Sequence, residues 1–154
     1  MTFPVDVSDP PFALPPDDVI IVELAGVPVG KGRPRFVRAT GAAYTPSKTR
    51  RYENDLRLAA QEVMGKRPPI CGPVTVRVEA HMPIPSSWSR KMRAAALQGM
   101  VHPTTRPDPD NLLKSLDAFN EIVFRDDRQV VEATVVKVYS DRPRLWVQVR
   151  ELGA

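Results

Sequence analysis

From Val74 to Met82 the chain alternates without a break. Val74, Val76, Val78, Ala80 and Met82 fall on one side, and Thr75, Arg77, Glu79 and His81 on the other. A period of two is that of a strand with one face in a core and the other towards water. Val19 to Leu24 is a short apolar run with β-branched residues and predicts an earlier strand. Val130 to Tyr139 and Arg144 to Glu151 predict two later ones, with Asp141-Arg142-Pro143 as a hairpin loop between them. Two segments switch to a helical period. After Thr45-Pro46, an N-cap and a first-position proline, the apolar positions are Tyr52, Leu56, Ala59, Ala60 and Val63; Gly65 and Pro68-Pro69 then stop the helix. A second helix is predicted from Asp108 as N-cap and Pro109 as first residue, with Leu112, Leu116, Phe119 and Val123 as one buried face. At that period Asp110, Lys114, Asp117 and Glu121 share another face. The pattern predicts a single α+β domain over 18–154, with a mixed or antiparallel sheet of about four strands and helices packed on one face.

Three stretches carry no such period. Residues 1–17 hold many prolines and read as an extended, poorly ordered arm. The ribbon from Gly26 to Ser47 is punctuated by glycine and proline and predicts a hairpin about Thr40-Gly41. Pro83 to Pro107 is an excursion in which Ser86-Ser87-Trp88 starts a short helix to about Gln98, carrying Arg90, Lys91 and Arg93. Trp88 there is either a base-stacking platform or a packing anchor. His81, alone on a polar strand face, is more often surface than ligand.

At 154 residues the chain has room for one real core. A single cysteine, Cys71, allows no internal disulfide and fits a reducing cytoplasm. No apolar run approaches membrane-spanning length, so no membrane association is expected. The net charge of +4 hints at a polyanionic partner, and its distribution sharpens the hint. Leu24 to Tyr52 holds no acid but carries Lys31, Arg33, Arg35, Arg38, Lys48, Arg50 and Arg51; Ala80 to Pro107 is also acid-free and ends with Arg106. Lys31, Arg33, Arg35, Arg38, Lys48, Arg50 and Arg106 are the candidate nucleic-acid contacts. Seven of the 18 acidic residues lie between Asp108 and Glu132. An acidic pocket rimmed by cations would repel phosphate unless a metal ion neutralised it, and a metal could bridge to a scissile phosphate.

The chemistry concentrates in R-P-D-P-D-N-L-L-K and in the D-D at Asp126-Asp127. Two carboxylates at D-x-D spacing, joined by a third from a distant loop, suit one or two hard divalent ions. The same residues also suit a helix cap and a turn. An EF-hand is excluded, since Leu112 and Phe119 stand where that loop needs oxygen ligands.

In this order K-G-R-P-R, Y-T-P, V-E-A-H-M-P, P-D-x-D-N-L-x-K, D-D-x-Q-V and V-V-K resemble the RusA family of Holliday junction resolvases, over roughly Val19 to Glu151. The resemblance implies a Mg²⁺-dependent, homodimeric endonuclease, with Mn²⁺ as a substitute ion, resolving four-way DNA junctions by paired symmetric nicks in recombination and repair. It implies metal-binding, catalytic carboxylates at Asp108, Asp110 and Asp127, and an essential lysine at Lys114. Asp117 is expected to support Lys114 by a salt bridge. Compact members pass almost directly from H-M-P to the acidic helix, whereas this chain inserts an excursion there. Two other readings fit the residues: a non-catalytic nucleic-acid-binding module, and the same nuclease chemistry on flaps, forks or phage packaging intermediates.

Overall fold

A computed structural model describes residues 19–32, 35–44 and 46–153; the expected N-terminal arm over 1–17 lies outside them, as do Arg33 and Thr45. The alternating segment forms β4 (Val74–Pro83) with its apolar set buried and its polar set half-buried. It lies between β6 (Arg144–Glu151), antiparallel to it, and β5 (Val130–Ser140), parallel to it. The first strand, β1 (Val19–Ala25), pairs antiparallel with β6, so the four-stranded mixed sheet runs β1-β6-β4-β5. A separate two-stranded hairpin, β2 (Arg35–Phe36) with β3 (Ala43–Tyr44), turns at Thr40-Gly41, where Gly41 has φ +67°.

One expectation fails here. Asp141-Arg142-Pro143 is not a hairpin loop, because β5 and β6 are not neighbours; β4 stands between them. The loop crosses the end of β4, a span of about 10 Å, which three residues cover when extended. Loop length alone cannot separate this crossing from a hairpin.

Helix α1 (Ser47–Met64) buries Leu56, Ala60 and Met64 against one face of the sheet, packing on β1. Val63, expected in that stripe, is 40 % exposed, and Met64 takes the inner position. The excursion after β4 forms α2 (Arg90–Leu97), one turn later than expected because Ser89 caps it, its side chain accepting from the Met92 N–H. Trp88 packs edge-on to Tyr139 of β5 with ring centroids 5.2 Å apart, so it anchors the excursion rather than offering a free face. Lys137 of β5 donates to the Thr105 carbonyl on the return path.

The second long helix is shorter than its pattern predicts. It is α-helical only over α3 (Pro109–Lys114) and continues as a 3-10 helix over Ser115–Phe119. The buried Ser115 hydroxyl donates back to the Leu112 carbonyl, a bond that competes with the regular ladder at this junction. Leu112, Leu116, Phe119 and Val123 are nevertheless all buried, and Phe119 meets Phe124 edge-on at 6.2 Å. Tightening from about 3.6 to 3 residues per turn advances each residue by about 20° more. That winding brings residues three apart into line, Asp117 with Lys114, yet the Asp117 carboxylate pairs with Lys31.

The turn that follows holds Glu121 at φ 64°, a left-handed conformation that costs a residue with a Cβ about 1–2 kcal/mol. The Glu121 side chain is exposed and makes only a 3.7 Å contact with Arg125. Glu121→Gly is expected to raise stability by about 0.5–1 kcal/mol, the relief being partly offset by the freer unfolded chain. Urea denaturation checks the sign.

Candidate active site

Asp108, Asp110, Asn111 and Lys114, at the start of α3 and along it, open onto a cleft of about 650 Å³. Met82 reaches the cleft from the C-terminal end of β4, and the ribbon over Val27–Gly32 lines it from the other side of α3. Lys48 and Arg106 complete it with positive charge. The position follows from topology. β4 and β5 are parallel, so the chain between them must cross over, and α3 belongs to that crossover.

The ribbon is held to α3 closely. The Lys31 N–H donates to the Asn111 carbonyl at 3.0 Å. A Cβ on Gly30 would stand 2.8 Å from the Pro107 Cβ and 2.9 Å from the Asn111 Cβ, so only glycine lets the two segments meet. The Lys31 ammonium then reaches Asp117 Oδ2 at 2.7 Å and Glu53 Oε1 at 3.2 Å. Burial alone would lower the Lys31 pKa; its hydrogen bonds to Asp117 and Glu53 outweigh that and raise it, so the group stays charged.

Asp108 occupies the N-cap position of α3, but its side chain makes no capping hydrogen bond. A carboxylate at that position normally accepts from the first-turn N–H groups. Here it lines the cleft beside Asp110. Lys114 lies 3.7 Å from Asp110, one turn on, and both are largely exposed, so this pair adds little stability. The expected Lys114–Asp117 support is replaced by this contact, because Asp117 is turned to Lys31.

Asp127 does not line the cleft, and among the described residues no three histidine, cysteine or carboxylate side chains are placed to hold a metal ion together. Burial, then the Asp117 and Asp126 carboxylates beside it, raise the Asp127 pKa. Asp126 serves the backbone instead. It caps the short 3-10 turn Asp127–Gln129, accepting from the Arg128 N–H, which is the main reason its pKa is lowered. Gln129 completes that box and donates to the Ile70 and Gly72 carbonyls, tying the turn to the approach to β4. The expected carboxylates thus fall in two places, Asp108 with Asp110 at the cleft and Asp127 beside Asp117 and Asp126.

Of the candidate cations, Lys48 and Arg106 lie at the cleft. Arg38 and Arg50 are exposed, on the β2–β3 hairpin and the first turn of α1. Lys31 is committed to two carboxylates, and Arg35 lies in β2. Arg33 lies outside the described residues. Sequence reasoning missed Glu53 as the partner of Lys31, although it is the first acid after the long basic stretch.

The cleft's donors suit a hard divalent ion. Mg²⁺ keeps several waters and takes one or two carboxylates from protein, with phosphate supplying the rest. Asp108, free of any capping bond, and Asp110 are oxygen donors of this kind.

Two outcomes test the cleft wall. Gly30→Ala should cost about 1–3 kcal/mol by forcing the ribbon from α3, measured by urea denaturation. Below the ribbon, burial raises the Tyr52 pKa from 10.0 to about 12, a weak contact to the Val29 backbone pulling the other way. The fold therefore favours the protonated phenol. That stability is fully present below pH 10.0 and disappears as pH rises through about 12. Tyr52→Phe should flatten the alkaline loss by up to about 3 kcal/mol, followed by denaturation against pH.

The family model for endodeoxyribonuclease RusA matches residues 25–150. An uncharacterized protein of Bacillus subtilis (strain 168), YqaN, is 38 % identical over 144 residues, covering 89 % of this chain and 99 % of the relative. A match that starts at the last residue of β1 and runs into the end of β6 takes in the other three strands of the sheet, the cleft, and Asp126 and Asp127, and by it the chain belongs to the RusA endodeoxyribonuclease family.

Proposed function

We propose that this protein is a Mg²⁺-dependent, structure-specific endonuclease that resolves four-way DNA junctions by paired nicks. In this reading it acts in the cytoplasm as a homodimer, in recombination and repair, with Mn²⁺ as a substitute ion. The observation that carries the reading is the Asp108 carboxylate. It stands at a helix N-cap without capping, and it faces a cleft shared with Asp110, Lys114, Lys48 and Arg106. A carboxylate needed only for helix stability would be spent on the first-turn N–H groups.

Asp108 and Asp110 hold the ion, and Asp127 is assigned as the third carboxylate. When bound, the ion supplies an acidified water and offsets charge growing on the phosphate. Lys114 holds the scissile phosphate or orients the attacking water, and its contact with Asp110 keeps it at the cleft mouth. Lys48 and Arg106 place the flanking backbone by charge, carrying no base information. Two-fold symmetry of a dimer would present two such clefts to two strands of a junction.

Asp110→Asn should cut nicking of a synthetic four-way junction in Mg²⁺ by at least about a hundredfold while retaining junction binding. Asp127→Asn should show the same separation. Full nicking by Asp110→Asn would end the assignment of the cleft, and full nicking by Asp127→Asn would leave the ion to Asp108 and Asp110. Parallel assays on flaps, forks and linear duplex establish the substrate.

A further inference from the structure

We infer that the excursion over residues 84–105 is a second DNA-contacting element, in which Arg90 and Lys91 of α2 bind backbone phosphates of one arm of the substrate. The inference rests on the DNA reading above and extends it to a part of the chain outside the cleft.

The excursion is rooted at the cleft at both ends. It leaves from the end of β4, where Met82 lines the cleft, and returns at Arg106 and Pro107, which line it too. It is a built structure rather than a loose loop. Ser89 caps α2, Ala96 is 1 % exposed beneath it, Trp88 packs on Tyr139, and Lys137 holds Thr105. What it presents outward is positive. Arg90 and Lys91 are exposed, and among the described residues neither has a carboxylate within ion-pair distance.

Their place in the helix sharpens the point. Both lie in the first turn of α2, which holds no acid, where the helix dipole disfavours positive charge. Helix stability therefore does not account for them, and fold packing does not either, since they touch water. A partner with dense negative charge does. Met92, Leu97 and Met100 are also exposed on the excursion, so a protein face is the competing occupant. Charge decides between them: two cations without an ion-pair partner, in a stretch of chain that holds no acid, favour phosphate over an apolar partner.

The test compares the full chain with Arg90→Gln/Lys91→Gln and with the charge-keeping Arg90→Lys/Lys91→Arg. Binding to a four-way junction is measured by fluorescence anisotropy without divalent metal, across about 50–200 mM salt. The Gln pair should weaken binding on the order of tenfold at the low end and reduce the slope of log affinity against log salt by about two. The charge-keeping pair should restore both. The melting temperature of the Gln pair should stay level or rise, since two charges unfavourable to the helix are gone. Unchanged affinity and slope in the Gln pair would overturn the inference. So would weakened binding with a lowered melting temperature and an unchanged slope, which marks a structural role. A changed oligomeric state with an unchanged slope would assign the face to protein and likewise overturn it. Should the wild-type chain bind DNA without nicking it, the slope change still upholds this inference while the catalytic reading fails; should it bind no DNA, both fail.

Discussion

The contact on which the cleft depends is the one between the glycine-rich ribbon and α3. Gly30 brings the two backbones together, the Lys31 amide closes a hydrogen bond to Asn111, and the Lys31 side chain reaches two carboxylates beyond. Each part needs the others. Without the missing Cβ the amide could not approach, and without the amide the ammonium would be a free surface cation. Glu53 belongs to α1 and Asp117 to the 3-10 extension of α3, so a single lysine couples ribbon, first helix and crossover. A half-buried cation between two acids also loses little to solvent screening compared with the exposed Lys114–Asp110 pair.

The parallel pairing of β4 and β5 gives the cleft its place. A parallel pair cannot be joined by a tight turn, and the long connection required here carries α2, α3 and both 3-10 turns. Open sheets bind ligands beyond the carboxyl ends of their strands, and Met82 marks that end of β4. The acidic helix is therefore set at the edge of a rigid sheet, with Leu112 and Leu116 buried beneath it and its carboxylates left outward.

Much of this was legible in the residues. The alternation in β4 is buried as it predicts, the stripe of α1 holds at Leu56 and Ala60 though not at Val63, and the four apolar positions from Leu112 to Val123 are all buried although the helix carrying them is not α-helical throughout. Asp108, Asp110 and Lys114 could be placed together because they span less than two helical turns. What escaped depends on events that the pattern does not encode. Asp117 pairs with Lys31, 86 residues away in sequence, a contact that helical spacing does not reveal. A loop of three residues crossed a strand instead of folding back. Asp127 could be assigned by motif, yet its neighbours are decided by how the turn before β5 is stitched down through Gln129, which spacing does not reveal.

The strand order has a consequence for how the chain reaches this state. The first and last strands of the described chain, β1 and β6, lie side by side, and β6 is the only neighbour β1 has within the sheet. Until β6 has been synthesised, β1 has no ladder to join and the flank of β4 that β6 will occupy stands open. Completion of the sheet therefore waits for β6 and is governed by contacts of long sequence separation that form slowly. A nascent chain lacking its final strand would expose two apolar strand edges, and that interval is when aggregation threatens most.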